Sequence, residues 1–158
     1  MTVREVAAGT PDPELPFVTI GDLGILREVE ETGDGVVVTI TPTYSGCPAL
    51  REITADLTRR LTAAGYPHVE LRTRLAPPWS SDWITADGRA KLARAGIAPP
   101  APRPAGAVAL TLGRRPSVTC PACGSNDTVE LARFGATACK ALHRCRACAE
   151  PFEAVKAI

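Results

Sequence analysis

The chain has 158 residues, and its 18 Lys and Arg nearly balance 17 Asp and Glu. That length holds one ordinary domain and a small appended module, which leaves no room for a large catalytic core. Fifteen prolines, 13 glycines and 4% aromatic residues describe loops and linkers around a modest aliphatic core.

The opening Met-Thr-Val-Arg-Glu-Val mixes both charge signs and leads into no apolar run, so neither a secretory signal nor an anchor is expected there. No stretch approaches the roughly 18 apolar residues of a membrane span. A soluble cytoplasmic protein with reduced thiols is therefore expected. Asp12-Pro13-Glu14 sets two carboxylates beside a proline that restricts the backbone. Such carboxylates commonly serve as solvated loop residues or caps. Brought near Cys47, they would instead tune a thiolate or complete a metal site.

A short helix is expected around Thr19 to Leu23, then a strand from Ile25 to Glu31, a turn at Thr32-Gly33-Asp34-Gly35, and a β-branched strand from Val36 to Thr41. Cys47 follows in Thr41-Pro42-Thr43-Tyr44-Ser45-Gly46-Cys47-Pro48, between a strand end and a helix start. A thiolate there gains from unpaired N–H groups and the helix dipole, which makes it a better nucleophile or metal ligand. A small buried cysteine at an N-cap is the alternative, and position alone leaves both open.

Ala49, Leu50, Ile53, Leu57, Leu61 and Ala64 recur at helical spacing, with Pro48 suited to the first position and Gly65 to the stop. From His68 to Arg74 the chain alternates, with Val69, Leu71 and Leu75 on one face. Pro77 to Ile84 holds both tryptophans, Trp79 and Trp83, which either cover the small core or anchor a protein partner. A helix is expected from about Thr85 to Ala95. Residues 96–113 read as a proline-rich spacer, because four prolines between Gly96 and Gly106 oppose helix and ladder alike.

The last module, residues 114–158, carries Cys120, Cys123, Cys145 and Cys148 as C-P-A-C, a 21-residue gap, and C-R-A-C. Two C-x-x-C turns joined by a hairpin present four thiolates to one metal, which is the pattern of a zinc ribbon. Thr128 to Phe134 and Thr137 to Arg144 are its expected strands. Two disulfides are the alternative, disfavoured in a chain without an export signal, and iron shares the geometry. Cys139 is a fifth thiol, either a buried strand residue or, beside Lys140, His143, Arg144 and Arg146, a reactive one. The module's 7 Lys and Arg exceed its 4 Asp and Glu, but a zinc tetrathiolate contributes −2, which weighs against nucleic-acid binding. The whole reads as an α+β protein: a small β-β-α-β domain over residues 1–95 with flanking helices, the spacer, then a C-terminal zinc-ribbon hairpin.

Asp12-Pro13-Glu14-Leu15, Thr19-Ile20-Gly21-Asp22-Leu23-Gly24 and Thr41 to Pro48, in this order, resemble the small iron-sulfur assembly domains that include SufT-like proteins. Trp79 to Ile84, Gly88-Arg89-Ala90-Lys91-Leu92, Gly96 to Pro100, and the ribbon with Phe134-Gly135 and Cys139-Lys140-Ala141-Leu142 extend the likeness to nearly the whole chain. It resembles the PaaD-like accessory subunits of the phenylacetyl-CoA epoxidase system. That resemblance implies a non-catalytic helper of aerobic phenylacetate breakdown, whose partners are a di-iron oxygenase and an iron-sulfur flavoprotein reductase. It implies maturation or carriage of an iron-sulfur or di-iron centre, with Cys47 handling a transient cluster and Asp12 and Glu14 as signature acids. A lone cysteine does not hold a cluster, so a homodimer sharing two Cys47 thiols, a small thiol, or those acids would complete the ligand set. A structural or interaction subunit of the oxygenase is the competing expectation.

Overall fold

The computed structural model describes residues 1–33, 35–101 and 117–158, and these form two compact units, Met1–Lys91 and Leu92–Ile158. The first opens with helix α1, Val3–Ala8, followed by strands β1, Leu26–Thr32, and β2, Gly35–Ile40. Helix α2, Leu50–Ala63, then leads to strand β3, His68–Thr73. β1 and β2 pair antiparallel, β2 and β3 pair parallel, and the sheet order is β1-β2-β3. A parallel neighbour needs a crossover, which α2 supplies. The expected β-β-α-β order is therefore the observed one, although Asp34 of the expected turn lies outside the described residues.

β2 is buried along its full length, as its Val-Val-Val-Thr-Ile run requires for a central strand covered on both sides. In α2, Ile53, Leu57 and Leu61 are the buried stripe. The helix ends as its sequence foretells: Gly65 takes φ 101°, and Tyr66 N–H reaches back to the Leu61 carbonyl at 3.1 Å. Past the end of β3 the Arg74 guanidinium grips Glu28 through two contacts of 2.7 Å, tying β3 to β1 across the strand between them. Leu75, expected on the buried face, lies beyond the end of β3 and is exposed, because pairing stops at Thr73.

One element of this unit goes unread in the sequence, and one further expectation changes. The charge pattern of residues 3–8 announces no helix, yet Thr2 and Glu5 form a reciprocal capping box, with Thr2 N–H donating to Glu5 Oε2 at 2.6 Å and Glu5 N–H to Thr2 Oγ1 at 3.2 Å. Conversely, the short helix expected over Thr19 to Leu23 is a tight succession of turns. Asp22 Oδ2 accepts the Thr19 N–H and Thr19 Oγ1 accepts the Asp22 N–H, after which Gly24 at φ 67° sends the chain into β1.

That turn is a junction. A Cβ on Gly21 would sit 2.9 Å from Ala8 of α1, and one on Gly24 would sit 2.5 Å from the backbone of Trp83. Helix α3, Ala86–Arg94, matches the helix expected near residues 85–95, and its Lys91 Nζ reaches Asp22 Oδ2 at 2.8 Å. Burial alone would raise the Asp22 pKa, but hydrogen bonds from Lys91 and Thr19 outweigh it and hold the carboxyl below its usual range. Replacing Asp22 by Asn is expected to cost about 1–2 kcal/mol near neutral pH. Because the folded pKa is depressed, this stability is full above the unfolded value of about 3.9 and fades as pH falls through the folded one. Melting curves at roughly pH 6 and pH 3 should show the gap between wild type and Asp22→Asn closing at the acid end.

The second unit holds a four-stranded sheet in the order β4-β7-β6-β5, where β4 is Ile97–Ala98, β5 is Thr128–Ala132, β6 is Lys140–Cys145 and β7 is Pro151–Val155. The expected two-stranded hairpin is thus too small. β7 pairs antiparallel with β6, and residues 137–139, expected in the second strand, form a turn. β4 corrects the spacer at its start: Ile97 and Ala98 pair in parallel with Glu153 and Ala154, and the ladder stops where Pro99 removes the next donor. Spacer residues 102–113 and ribbon residues 114–116 lie outside the described residues. No helix among the described residues is long and apolar enough to cross a membrane.

Candidate functional site

Cys120, Cys123, Cys145 and Cys148 converge at one end of the ribbon sheet, with all four sulfurs within 4.8 Å of one another. The Cys120–Cys148 and Cys123–Cys145 separations are 3.8 and 3.5 Å. A tetrahedral zinc site with bonds of about 2.3 Å has sulfur–sulfur edges of roughly 3.8 Å, so the cage fits such an ion. None of the six cysteines is in a disulfide.

The two knuckles are built alike. Cys120 N–H donates to the Ser125 carbonyl at 2.9 Å, and Cys145 N–H donates to the Glu150 carbonyl at 2.9 Å. Gly124 and Ala149, each just past the second cysteine of its knuckle, take φ 74° and 65°. Arg146 N–H bonds the Asp127 carbonyl at 2.8 Å and ties the second knuckle to the start of β5. Cys120 and Cys145 are buried with Phe152, Ala98 and Ala154, whereas Cys123 and Cys148 face solvent.

Four sulfurs this close do not all ionise without a cation. Backbone N–H groups, that of Cys148 foremost, lower the Cys145 thiol to about 7. At Cys123 the Ser125 N–H favours the thiolate, but shared hydrogen bonds with Cys145 and Cys148 prevail and push it up to about 12. A divalent metal at the centre would remove that conflict and hold all four as thiolates.

Cys47 lies in the first unit, between the end of β2 and the start of α2, and is half-buried. Its N–H donates to the Tyr44 carbonyl and its carbonyl accepts the Leu50 N–H, both at 3.2 Å. The capping position of α2 is Ala49, two residues later, so Cys47 precedes the helix rather than capping it. Ser45 and Gly46 beside it are exposed. The loop is fastened upstream by Thr41 N–H on the Ile25 carbonyl at 2.8 Å, which links it to the Thr19–Gly24 turn.

Asp12 is buried and closes its own turn, its Oδ1 accepting the N–H groups of Glu14 and Leu15 at 2.9 Å each. Glu14 is half-buried. Among the described residues, the four ribbon cysteines are the one group of three or more metal-capable side chains close enough to share an ion, and Asp12, Glu14 and Cys47 form no such set.

Trp79 is buried, with its indole N–H on the Leu23 carbonyl at 2.9 Å, while Trp83 is half-buried beneath the Arg27 guanidinium, 3.6 Å from its ring centroid. Cys139 sits in the turn before β6, half-buried, with Thr137 Oγ1 3.1 Å from its sulfur. Of the groups expected to attend it, Lys140 pairs with Glu153, Arg146 with Asp127, Arg144 reaches the Ala149 carbonyl at 3.4 Å, and buried His143 stacks on Phe152. The Lys140–Glu153 pair escapes sequence reasoning, since nothing in a spacing of 13 residues across a turn announces it.

Residues 2–70 match the iron-sulfur cluster assembly protein family, and residues 104–156 match the PaaD zinc beta ribbon domain. A putative 1,2-phenylacetyl-CoA epoxidase subunit of Escherichia coli (strain K12) is 44% identical over 148 residues, covering 94% of this chain and 87% of that protein. A crystal structure of a domain of unknown function from Bacillus anthracis is 27% identical with a TM-score of 0.52, covering 57% of this chain and 87% of that one. An iron-sulfur assembly module and a four-cysteine ribbon therefore stand in one chain, aligned with that epoxidase subunit along nearly their whole length, and the chain belongs to the PaaD family.

Proposed function

We propose that this chain is an accessory protein of aerobic phenylacetate breakdown that carries or inserts an iron-sulfur or di-iron centre for the phenylacetyl-CoA epoxidase or its reductase. The observation that carries this reading is the identity to a named epoxidase subunit across both modules, the first of which is of the iron-sulfur assembly family. In this role Cys47 is the thiol that takes up iron or cluster as cargo. Cys47 is half-buried beside the exposed Ser45 and Gly46, a setting that suits transient transfer better than storage. Asp12 serves first to hold its turn, and a second copy's Cys47 or a small thiol completes the ligands that a single cysteine lacks. The ribbon holds a structural zinc on Cys120, Cys123, Cys145 and Cys148. The setting is the cytoplasm, where thiols stay reduced.

Anaerobic reconstitution with iron and sulfide, comparing wild type with Cys47→Ser, tests this. Zinc is expected near one per chain in both, cluster absorbance in wild type alone, and client activation lower by roughly tenfold or more in the variant. Equal activation by Cys47→Ser would sink the carrier role and leave the interaction-subunit reading, in which this thiol is dispensable.

A further inference from the structure

The ribbon exposes a large aromatic at a loop that is unusually well fastened. Phe134 is 65% exposed, and Leu131 on the same hairpin is 53% exposed. An aromatic ring left in water at a free tip gains nothing from a rigid backbone, yet this loop is tied at several points. Glu153 Oε1 accepts the Ala136 N–H at 2.8 Å while its Oε2 takes Lys140 Nζ at 2.5 Å, a pair whose lysine is 6% exposed. Gly135 N–H donates to the Lys140 carbonyl at 2.8 Å. Lys156 Nζ donates to the Ala138 carbonyl at 2.7 Å and lies 4.0 Å from the centroid of the Phe134 ring. A Cβ on Gly135 would meet Glu153 Oε1 at 2.7 Å, so a side chain there would require that carboxylate to shift.

Burying one partner of an ion pair beneath a loop that carries an exposed ring is costly in a free protein, and it is the arrangement expected of a preorganised contact residue. Phe134, Arg133 and Lys156 also line a recess of about 700 Å³ whose walls include Val118, Val129 and Val155. Of its charged lining side chains, Arg133 and Lys156 are basic and Glu130 is acidic. Arg133 is exposed and has no ion pair among the described residues.

We propose that the Arg133–Cys139 loop is a protein-docking knob: Phe134 enters an apolar pocket of an acidic partner surface, and Arg133 meets a carboxylate at its rim. The partner is a component of the epoxidase system, an assignment that rests on the proposed function, whereas the surface itself does not. Phe134 supplies the apolar contact at low entropy cost, since its ring is already held. Arg133 sets orientation and salt dependence.

Titration calorimetry of the full chain against the purified oxygenase and reductase components tests it, with Phe134→Ala and Arg133→Glu as variants. Phe134→Ala is expected to weaken binding roughly tenfold or more while zinc content and melting temperature stay unchanged. Arg133→Glu should weaken it less and flatten its salt dependence. Wild-type affinity in both variants would overturn the proposal, and so would the absence of binding by wild type. Self-association in ultracentrifugation that disappears in Phe134→Ala would overturn it in favour of a second copy as occupant. Cluster uptake separates the two readings: if Phe134→Ala loses binding and wild type takes up no cluster, the docking knob stands and the carrier role falls.

Discussion

Stripping the metal from the full chain with a chelator is expected to unfold the ribbon sheet and leave the N-terminal unit folded. The core around the knuckles is small: Ala98, Cys120, Cys145, Phe152 and Ala154, with Val118 packed against it. Two of those buried side chains are themselves metal ligands. A module of this size rarely holds together on apolar burial alone, and metal binding then becomes folding energy. Both tryptophans lie in the other unit, so indole fluorescence follows the folding of residues 1–91. Amide exchange should show protection in β5, β6 and β7 falling by roughly a hundredfold or more while that of β2 and α2 persists. Cys145→Ser should reproduce the effect, because it removes a buried ligand. Retained protection after complete metal loss would show that the sheet stands on its own packing.

The second large effect is steric. Gly24→Ala places a methyl group 2.5 Å from Trp83 Cβ and the Trp83 carbonyl oxygen, at a residue whose φ of 67° already disfavours any side chain. Backbone atoms do not swing aside, so the turn or the Ser81–Trp83 helical turn must shift. A loss of about 3 kcal/mol or more is expected, with a fall in melting temperature of roughly 10–20 °C. Gly33→Ala is the control. Its φ is also positive, at 54°, but nothing lies within 4 Å of the added carbon, so it should cost only about 1 kcal/mol. Equal losses at the two positions would locate the effect in φ alone and remove Trp83 from the account.

The contrast between those glycines separates local causes from distant ones. Elements with a strong local signal are legible, because their cause is local. The stripe of Ile53, Leu57 and Leu61 with Gly65 behind it makes α2, and the Val-Val-Val-Thr-Ile run makes a covered central strand. The Thr2–Glu5 box is equally local, but the mixed charges around it mask a helix of only six residues. Thr19 to Leu23 forms turns because its Thr19 and Asp22 side chains bond their own backbone, and a glycine at positive φ decides the outcome.

By itself the sequence determined the cysteine cage, since ligand type and spacing are properties of the chain, and with it the order of the two modules. It also marked Cys47 as sitting between a strand and a helix. Only the tertiary structure decided that Ile97 and Ala98 join the ribbon sheet, that Asp12 spends its carboxylate on its own turn, and that Trp79 is buried while Phe134 stands out. The reason is physical. Pairing partners, ion pairs such as Lys140–Glu153 and the burial of one aromatic over another depend on segments distant in sequence, and no local pattern carries their register.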